Sequence, residues 1–179
     1  MKEKLLVLAN FAIFLLATLI LGTIQTSLWF QMFGYFAGPA LWLPCLIYFA
    51  LSRSTLETVI FSYLVGVVLS TMTAMPEGIL MIVCLMLAIS TQLFKQRIYW
   101  TSSSYFMMVC GAASLLFHFF HWGASVFLED ATITSPQIMD WMIEALLTPL
   151  AAAPLYPLFR WIDKVTDQEP STEISAQIS

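Results

Sequence analysis

The chain has 179 residues and a mass of 20.2 kDa; 60% of the residues are hydrophobic, 10% are charged, and the mean hydropathy is +0.85. A soluble domain carries about 45–50% apolar and about 25% charged residues, so this composition excludes a water-exposed globule and points to a bilayer. The net charge of −4 argues against nucleic-acid binding.

About 20 apolar residues cross the hydrocarbon core as one helix, and the hydropathy pattern predicts six such segments. The first covers 5–22, behind the charged start Met1-Lys2-Glu3-Lys4. A signal-peptide core is about 7–15 residues long; this run is longer and lacks a small-x-small cleavage site, so it reads as a retained helix. Residues 23–38 carry two Gln, two Gly and the aromatics Trp29, Phe30, Phe33, Tyr35 and Phe36. Trp and Tyr favour the headgroup boundary, so this stretch is expected to lie along the surface or to re-enter shallowly. The second segment, 39–51, is short for a crossing, and Pro44 is expected to bend it.

The third and fourth segments cover 56–72 and 76–94, and the fifth covers 104–128. The sixth, 136–162, starts after Ser135, a suitable N-cap, with Pro136 as first helical residue, and is interrupted by Pro149, Pro154 and Pro157. The tail, 165–179, is polar and expected to be disordered. The chain therefore reads as an all-α membrane protein, a six-transmembrane-helix bundle over 1–164. All seven cations, Lys2, Lys4, Arg53, Lys95, Arg97, Arg160 and Lys164, fall on one side of these spans. The opposite loops carry Glu77, Glu129, Asp130 and Asp140 instead. The positive-inside rule then predicts that both termini are cytoplasmic.

Few residues offer chemistry. Cys45, Cys84 and Cys110 fall inside expected spans without metal-ligand spacing and read as free apolar thiols. His118 and His121 are three residues apart on one face. They suit hydrogen bonds across helices or a wet cavity; a metal would need further ligands, of which Glu144 is the nearest candidate. Asp140 and Glu144, at i, i+4, share a helix face; they fit either a solvated helix start or a contact with a cation or partner at the outer mouth. Arg53 and Glu57, also i, i+4, read as a boundary anchor. A Ser70–His118 pair would be the simplest hydrolase constellation, but no Gly-x-Ser-x-Gly elbow or HExxH accompanies it. No enzyme, cofactor or metal is expected. Gly111, Ala112 and their neighbours in Cys110–Ser114, and Ala151–Ala153, form small-residue patches suited to close helix packing, within the bundle or against a partner's helix.

Several runs resemble the bacterial rod-shape-determining MreD family over about 35–165. They are Pro39-Ala40-Leu41-Trp42-Leu43-Pro44 leading to Tyr48-Phe49-Ala50-Leu51, then Gly66 and Gly78, then Leu93-Phe94-Lys95. Glu144-Ala145-Leu146-Leu147-Thr148-Pro149 and Leu158-Phe159-Arg160-Trp161 complete them. The family often has an Asp four residues after the glycine of its third span, where this chain has Ser70.

The resemblance implies a non-enzymatic inner-membrane scaffold of the cell-elongation machinery. It would bind the single-span protein MreC and help to couple cytoplasmic MreB filaments to the wall synthase RodA and a class B penicillin-binding protein. Trp29, Phe33, Tyr35, Asp140 and Glu144 are the candidate partner contacts; Gly66, Gly78, Gly111 and Ala112 are the candidate packing positions. The family is similar in fold to the substrate-binding subunits of energy-coupling-factor vitamin transporters, so a small-molecule-binding transporter subunit is the alternative. The Ala-xxx-Ala docking pattern of that group is absent: Ala9, Ala12 and Ala17 lie three and five residues apart.

Overall fold

The computed structural model describes residues 2–73, 75–95, 102–128 and 137–168, with side chains from Leu6 onward. Seven α-helical segments and one π-helical stretch make up its regular structure: α1 Lys2–Thr23, the π stretch Ile24–Trp29, α2 Phe30–Phe33, α3 Leu43–Ser52, α4 Thr55–Ser70, α5 Glu77–Lys95, α6 Ser103–Leu128 and α7 Ile138–Val165. Among the described residues, four helices are long and apolar enough to cross a membrane: Leu6–Phe33, Glu77–Lys95, Ser103–Leu128 and Ile138–Val165. The two shorter apolar helices are Leu43–Ser52 and Thr55–Ser70. Lys2, Lys4, Arg97, Glu129, Asp130, Ser135, Pro136 and the tail from residue 169 fall outside the described side chains or residues, and with them the expected cap of the last helix and most of the expected disordered tail.

The first helix corrects one expectation. Residues 23–33 do not turn onto the surface; they continue α1 without a break through the π stretch and α2. Two threonines there bond back onto their own helix. Thr23 Oγ1 donates to Leu19 O at 2.8 Å and Thr26 Oγ1 to Gly22 O at 3.0 Å. Such back-bonding to the preceding turn loads helix carbonyls with a second donor, at the place where the helix widens into π geometry. Gly34 ends the rod at φ +62°, a backbone region that glycine enters without a Cβ clash.

A second correction concerns 39–51. Pro44 lies in the first turn of α3 and bends nothing, since the missing N–H there has no helical partner to lose. The chain instead enters α3 through non-helical residues 37–40 and a turn at 41–42. With 10 residues, α3 is about 15 Å long, half of a hydrocarbon core of about 30 Å. All of its residues except Leu51 are buried, as expected of a helix that is apolar on every side. It forms the central post of the bundle and packs against α1, α4, α5, α6 and α7.

Aromatic contacts join α3 to its neighbours: Phe49 stacks on Phe61 of α4 at 4.1 Å, and Tyr48 on Phe14 of α1 at 5.6 Å. Phe159 of α7 lies 5.2 Å from Tyr48. Residues Phe14, Phe49, Phe61, Phe106 and Phe159 are fully or almost fully enclosed.

Close backbone approach sets two helix pairs. A Cβ on Gly66 of α4 would sit 2.9 Å from Met81 Cα of α5. One on Gly111 of α6 would sit 2.9 Å from Pro149 Cγ and 3.2 Å from Ala145 O of α7. Of the other two expected packing positions, Gly78 has nothing within 4 Å of its Cβ position and Ala112 is exposed. Both face away from neighbouring helices, so neither supports a close approach within the chain. Pro149, Pro154 and Pro157 are accommodated inside one continuous α7 and do not interrupt it.

Candidate functional site

The described cations gather at one end of the bundle, and Arg53 lies at the centre of the contacts there. It follows the last residue of α3 and is 6% exposed, and Asp163 near the end of α7 is 4% exposed. Arg53 Nη2 pairs with Asp163 Oδ1 and donates to Asn10 Oδ1 at 3.0 Å. Asn10 Nδ2 in turn donates to Asp163 Oδ1 at 3.0 Å and to Thr166 Oγ1 at 2.7 Å. The Tyr48 hydroxyl donates to Asp163 Oδ2 at 2.8 Å. Every oxygen of the carboxylate is thus engaged, which a buried charge requires.

The same end holds a second set of bonds. Gln92 Nε2 reaches Ala50 O at 2.7 Å, Thr58 Oγ1 at 2.9 Å and Arg53 O at 3.2 Å, and Lys95 Nζ reaches Arg53 O at 3.2 Å. Carbonyls left open at the end of α3 are closed by α5 in this way. Five helices therefore meet in one polar knot.

Arg53 is consequently no surface anchor for Glu57. The Glu57 carboxylate closes a capping box with Ser54, accepting from Ser54 Oγ at 2.9 Å and from Ser54 N at 3.2 Å. The Ser54-x-x-Glu57 spacing was a legible signal of that box. Asn10 and Gln92, polar residues within apolar runs, were signals of the knot, because a polar group in lipid needs a partner.

At the opposite end of α1, the candidate aromatics form a cap on the rod. Trp29 and Phe33 rings lie 4.4 Å apart, Phe30 meets Tyr35 edge-on at 5.3 Å, and Trp29 Nε1 donates to Phe36 O at 3.1 Å. A Cβ on Gly38 would come within 2.6 Å of Trp29 Nε1, so only glycine leaves room for the indole there. Tyr35 is 95% exposed, and Leu28, Phe30, Met32, Phe33 and Phe36 are exposed beside it. The chain following this cap is tied down from both sides. Leu41 N donates to Gln25 Oε1 at 2.8 Å and Ala40 N to Thr148 Oγ1 at 3.0 Å.

Asp140 and Glu144 lie in different surroundings. Asp140 is exposed. Glu144 bridges to α6: its Oε1 accepts from Ser114 Oγ at 3.2 Å, and its Oε2 lies 3.0 Å from His118 Nε2. That His–Glu contact has ionic distance without hydrogen-bond alignment. The imidazole stacks on Trp141 at 5.4 Å and 5°, and the His121 ring lies 6.3 Å from Phe117. Among the described residues no hydrogen bond or ring contact joins Trp29, Phe33 or Tyr35 to Asp140 or Glu144.

Ser70 Oγ is bonded to Val67 O at 2.7 Å within its own helix. Cys45, Cys84 and Cys110 are buried free thiols. Among the described residues no group of three or more His, Cys, Asp or Glu could hold a metal ion. The chain matches no family model, no curated protein and no solved structure.

Proposed function

We propose that the chain is a six-span inner-membrane scaffold of the bacterial cell-elongation machinery, akin to MreD, with both termini cytoplasmic. The observation that carries this reading is the exposed aromatic cap on α1–α2. From Leu6 to Phe33 the rod has 28 residues, about 42 Å of helix against a hydrocarbon core of about 30 Å. Its far end, opposite the cationic knot, therefore reaches the outer headgroup level or beyond, presenting Phe30, Phe33, Tyr35 and Phe36. An apolar patch at or beyond the headgroup level suits a protein contact, and exposed aromatics make strong anchors in such contacts.

The interior supports a scaffold over a catalyst, because Asn10, Tyr48, Arg53, Gln92 and Thr148 use their hydrogen bonds to join one helix or its flanking segment to another. In this reading MreC docks its membrane helix and adjoining periplasmic segment against the cap end of the rod, and the scaffold helps to couple cytoplasmic MreB filaments to RodA and a class B penicillin-binding protein in peptidoglycan synthesis. α3 and α4 are shorter than a full crossing, and they complete the six passes together with the non-helical residues leading into α3. The one-sided cations support the orientation.

Mild-detergent purification from native membranes, followed by identification of everything retained, tests the proposal. Recovery of a single-span coiled-coil protein with wall synthases is the expected result, lost on Tyr35→Ala with Phe33→Ala. Recovery of a bound vitamin-like molecule or of an ATPase pair would overturn it in favour of a transporter subunit.

A further inference from the structure

At the cationic end, beside the Arg53–Asp163 knot, α7 borders an open recess of about 720 Å³ whose lining includes Tyr48, Tyr156, Arg160, Trp161, Lys164 and Asp167. The Asp163 carboxylate in its floor is already engaged by Arg53, Asn10 and Tyr48. Arg160 and Lys164 stand four residues apart on one helix face. Both are exposed, and neither has an ion-pair partner among the described residues. With one exposed carboxylate, Asp167, against two cations, the recess carries net positive charge.

A second observation indicates what fills it. An exposed stripe runs up α7 from the recess: Lys164, Trp161, Pro157, Pro154, Leu150 and Leu146 follow one another at intervals of three or four residues, all exposed. That spacing holds them on one face. A cationic pocket at one end of an apolar lane matches a molecule with a phosphate head and hydrocarbon chains. Trp161, where lane and pocket meet, is the side-chain type that favours the headgroup level.

We propose that this recess is a binding site for an anionic glycerophospholipid, its phosphate between Arg160 and Lys164 and an acyl chain along the α7 stripe. A soluble phosphate would use the cations but not the lane. Basic pockets at the ends of membrane helices take up anionic headgroups in this way. The inference rests on the chain lying in a bilayer and not on the partner proposed above, so loss of the partner would leave it untouched.

The test is native mass spectrometry of the full chain released from detergent micelles, with phosphatidylglycerol or phosphatidylcholine of matched acyl chains added at equal concentration. Wild-type protein is expected to retain phosphatidylglycerol roughly tenfold better, and Arg160→Gln with Lys164→Gln to lose that preference. Exchanging the two cations, Arg160→Lys with Lys164→Arg, keeps it. Folding of each variant is checked by protection of the three buried thiols; if the double variant unfolds, the single Lys164→Gln, at an exposed position, carries the comparison. Equal retention of the two lipids by wild type, or a folded Gln variant that still prefers phosphatidylglycerol, would overturn the site. Displacement of the lipid by an equal concentration of glycerol phosphate would reassign it to a soluble phosphate.

Discussion

Arg53 and Asp163, 110 residues apart in the chain, are brought into a buried ion pair that ties the end of α3 to the end of α7. Desolvating two charges costs several kcal/mol for each, and their attraction repays this only when the remaining hydrogen-bonding capacity is met. Asn10 and Tyr48 meet it here.

Removing one partner leaves the other charge buried and alone. Asp163→Ala or Arg53→Ala is therefore expected to destabilise the protein by about 3–5 kcal/mol. The measurement is the temperature at which Cys45, Cys84 and Cys110, all buried, become reactive towards a thiol-specific fluorophore. Arg53→Met with Asp163→Leu should cost less than the two single changes added together, because the stranded charge is gone. An additive double variant would mean that the pair contributes no coupling.

The non-helical approach to α3 depends on two side-chain acceptors. Gln25 Oε1 takes the Leu41 N–H and Thr148 Oγ1 the Ala40 N–H, and a bilayer offers no water to replace them. Gln25→Leu or Thr148→Val should each cost about 1–3 kcal/mol, whereas Thr148→Ser keeps its oxygen and should cost far less. Amide hydrogen exchange at Leu41 and Ala40 reads this directly. Unchanged protection at Leu41 in Gln25→Leu would show that another group holds the segment.

How much of this was legible in the sequence follows from the range of the forces involved. Hydropathy is a local property, and the expected segments 76–94 and 104–128 match Glu77–Lys95 and Ser103–Leu128 to within a residue. The end of the first helix was misread because Trp29 and Tyr35, with two Gln nearby, look like a surface-lying stretch until their ring contacts and the Leu41 N partner of Gln25 are known. Pro44 was misread for a related reason: a proline bends a helix in its interior and starts one in its first turn, and the start of α3 is set by tertiary packing. The knot went unread because positive-inside counting treats Arg53 as a topological marker, whereas its burial depends on an Asp at the other end of the chain. The polar residues Asn10 and Gln92 held the only local hint.

Gly66 and Gly78 separate close packing from mere flexibility. At Gly66 a methyl group would meet the Met81 backbone at 2.9 Å, which cannot yield as a side chain can. Gly66→Ala should push α4 from α5 and cost about 1–3 kcal/mol. At Gly78, in the first turn of α5, a methyl would meet nothing within 4 Å, and replacing a helical glycine there should be neutral or stabilise by up to about 1 kcal/mol. Thermal unfolding of the two variants side by side checks both signs; a stable Gly66→Ala would remove the close approach as a constraint on that helix pair.

The aromatic cap allows a sharper distinction, between contact with a partner and support of the contact. Tyr35, 95% exposed, makes one ring contact, with Phe30, so Tyr35→Ala should leave thiol protection within about 0.5 kcal/mol of wild type while weakening any partner bound at the cap. Trp29 is different, because its indole packs over Gly38 and donates to Phe36 O at 3.1 Å. Trp29→Ala should lower both stability and partner retention, and Trp29→Phe, which keeps the ring stack and loses the N–H, should fall between them. Measuring thiol protection and co-purification on the same three variants resolves the roles. If Tyr35→Ala retains its partner as wild type does, the cap's exposed face is not the docking surface, whatever Trp29 does to the fold.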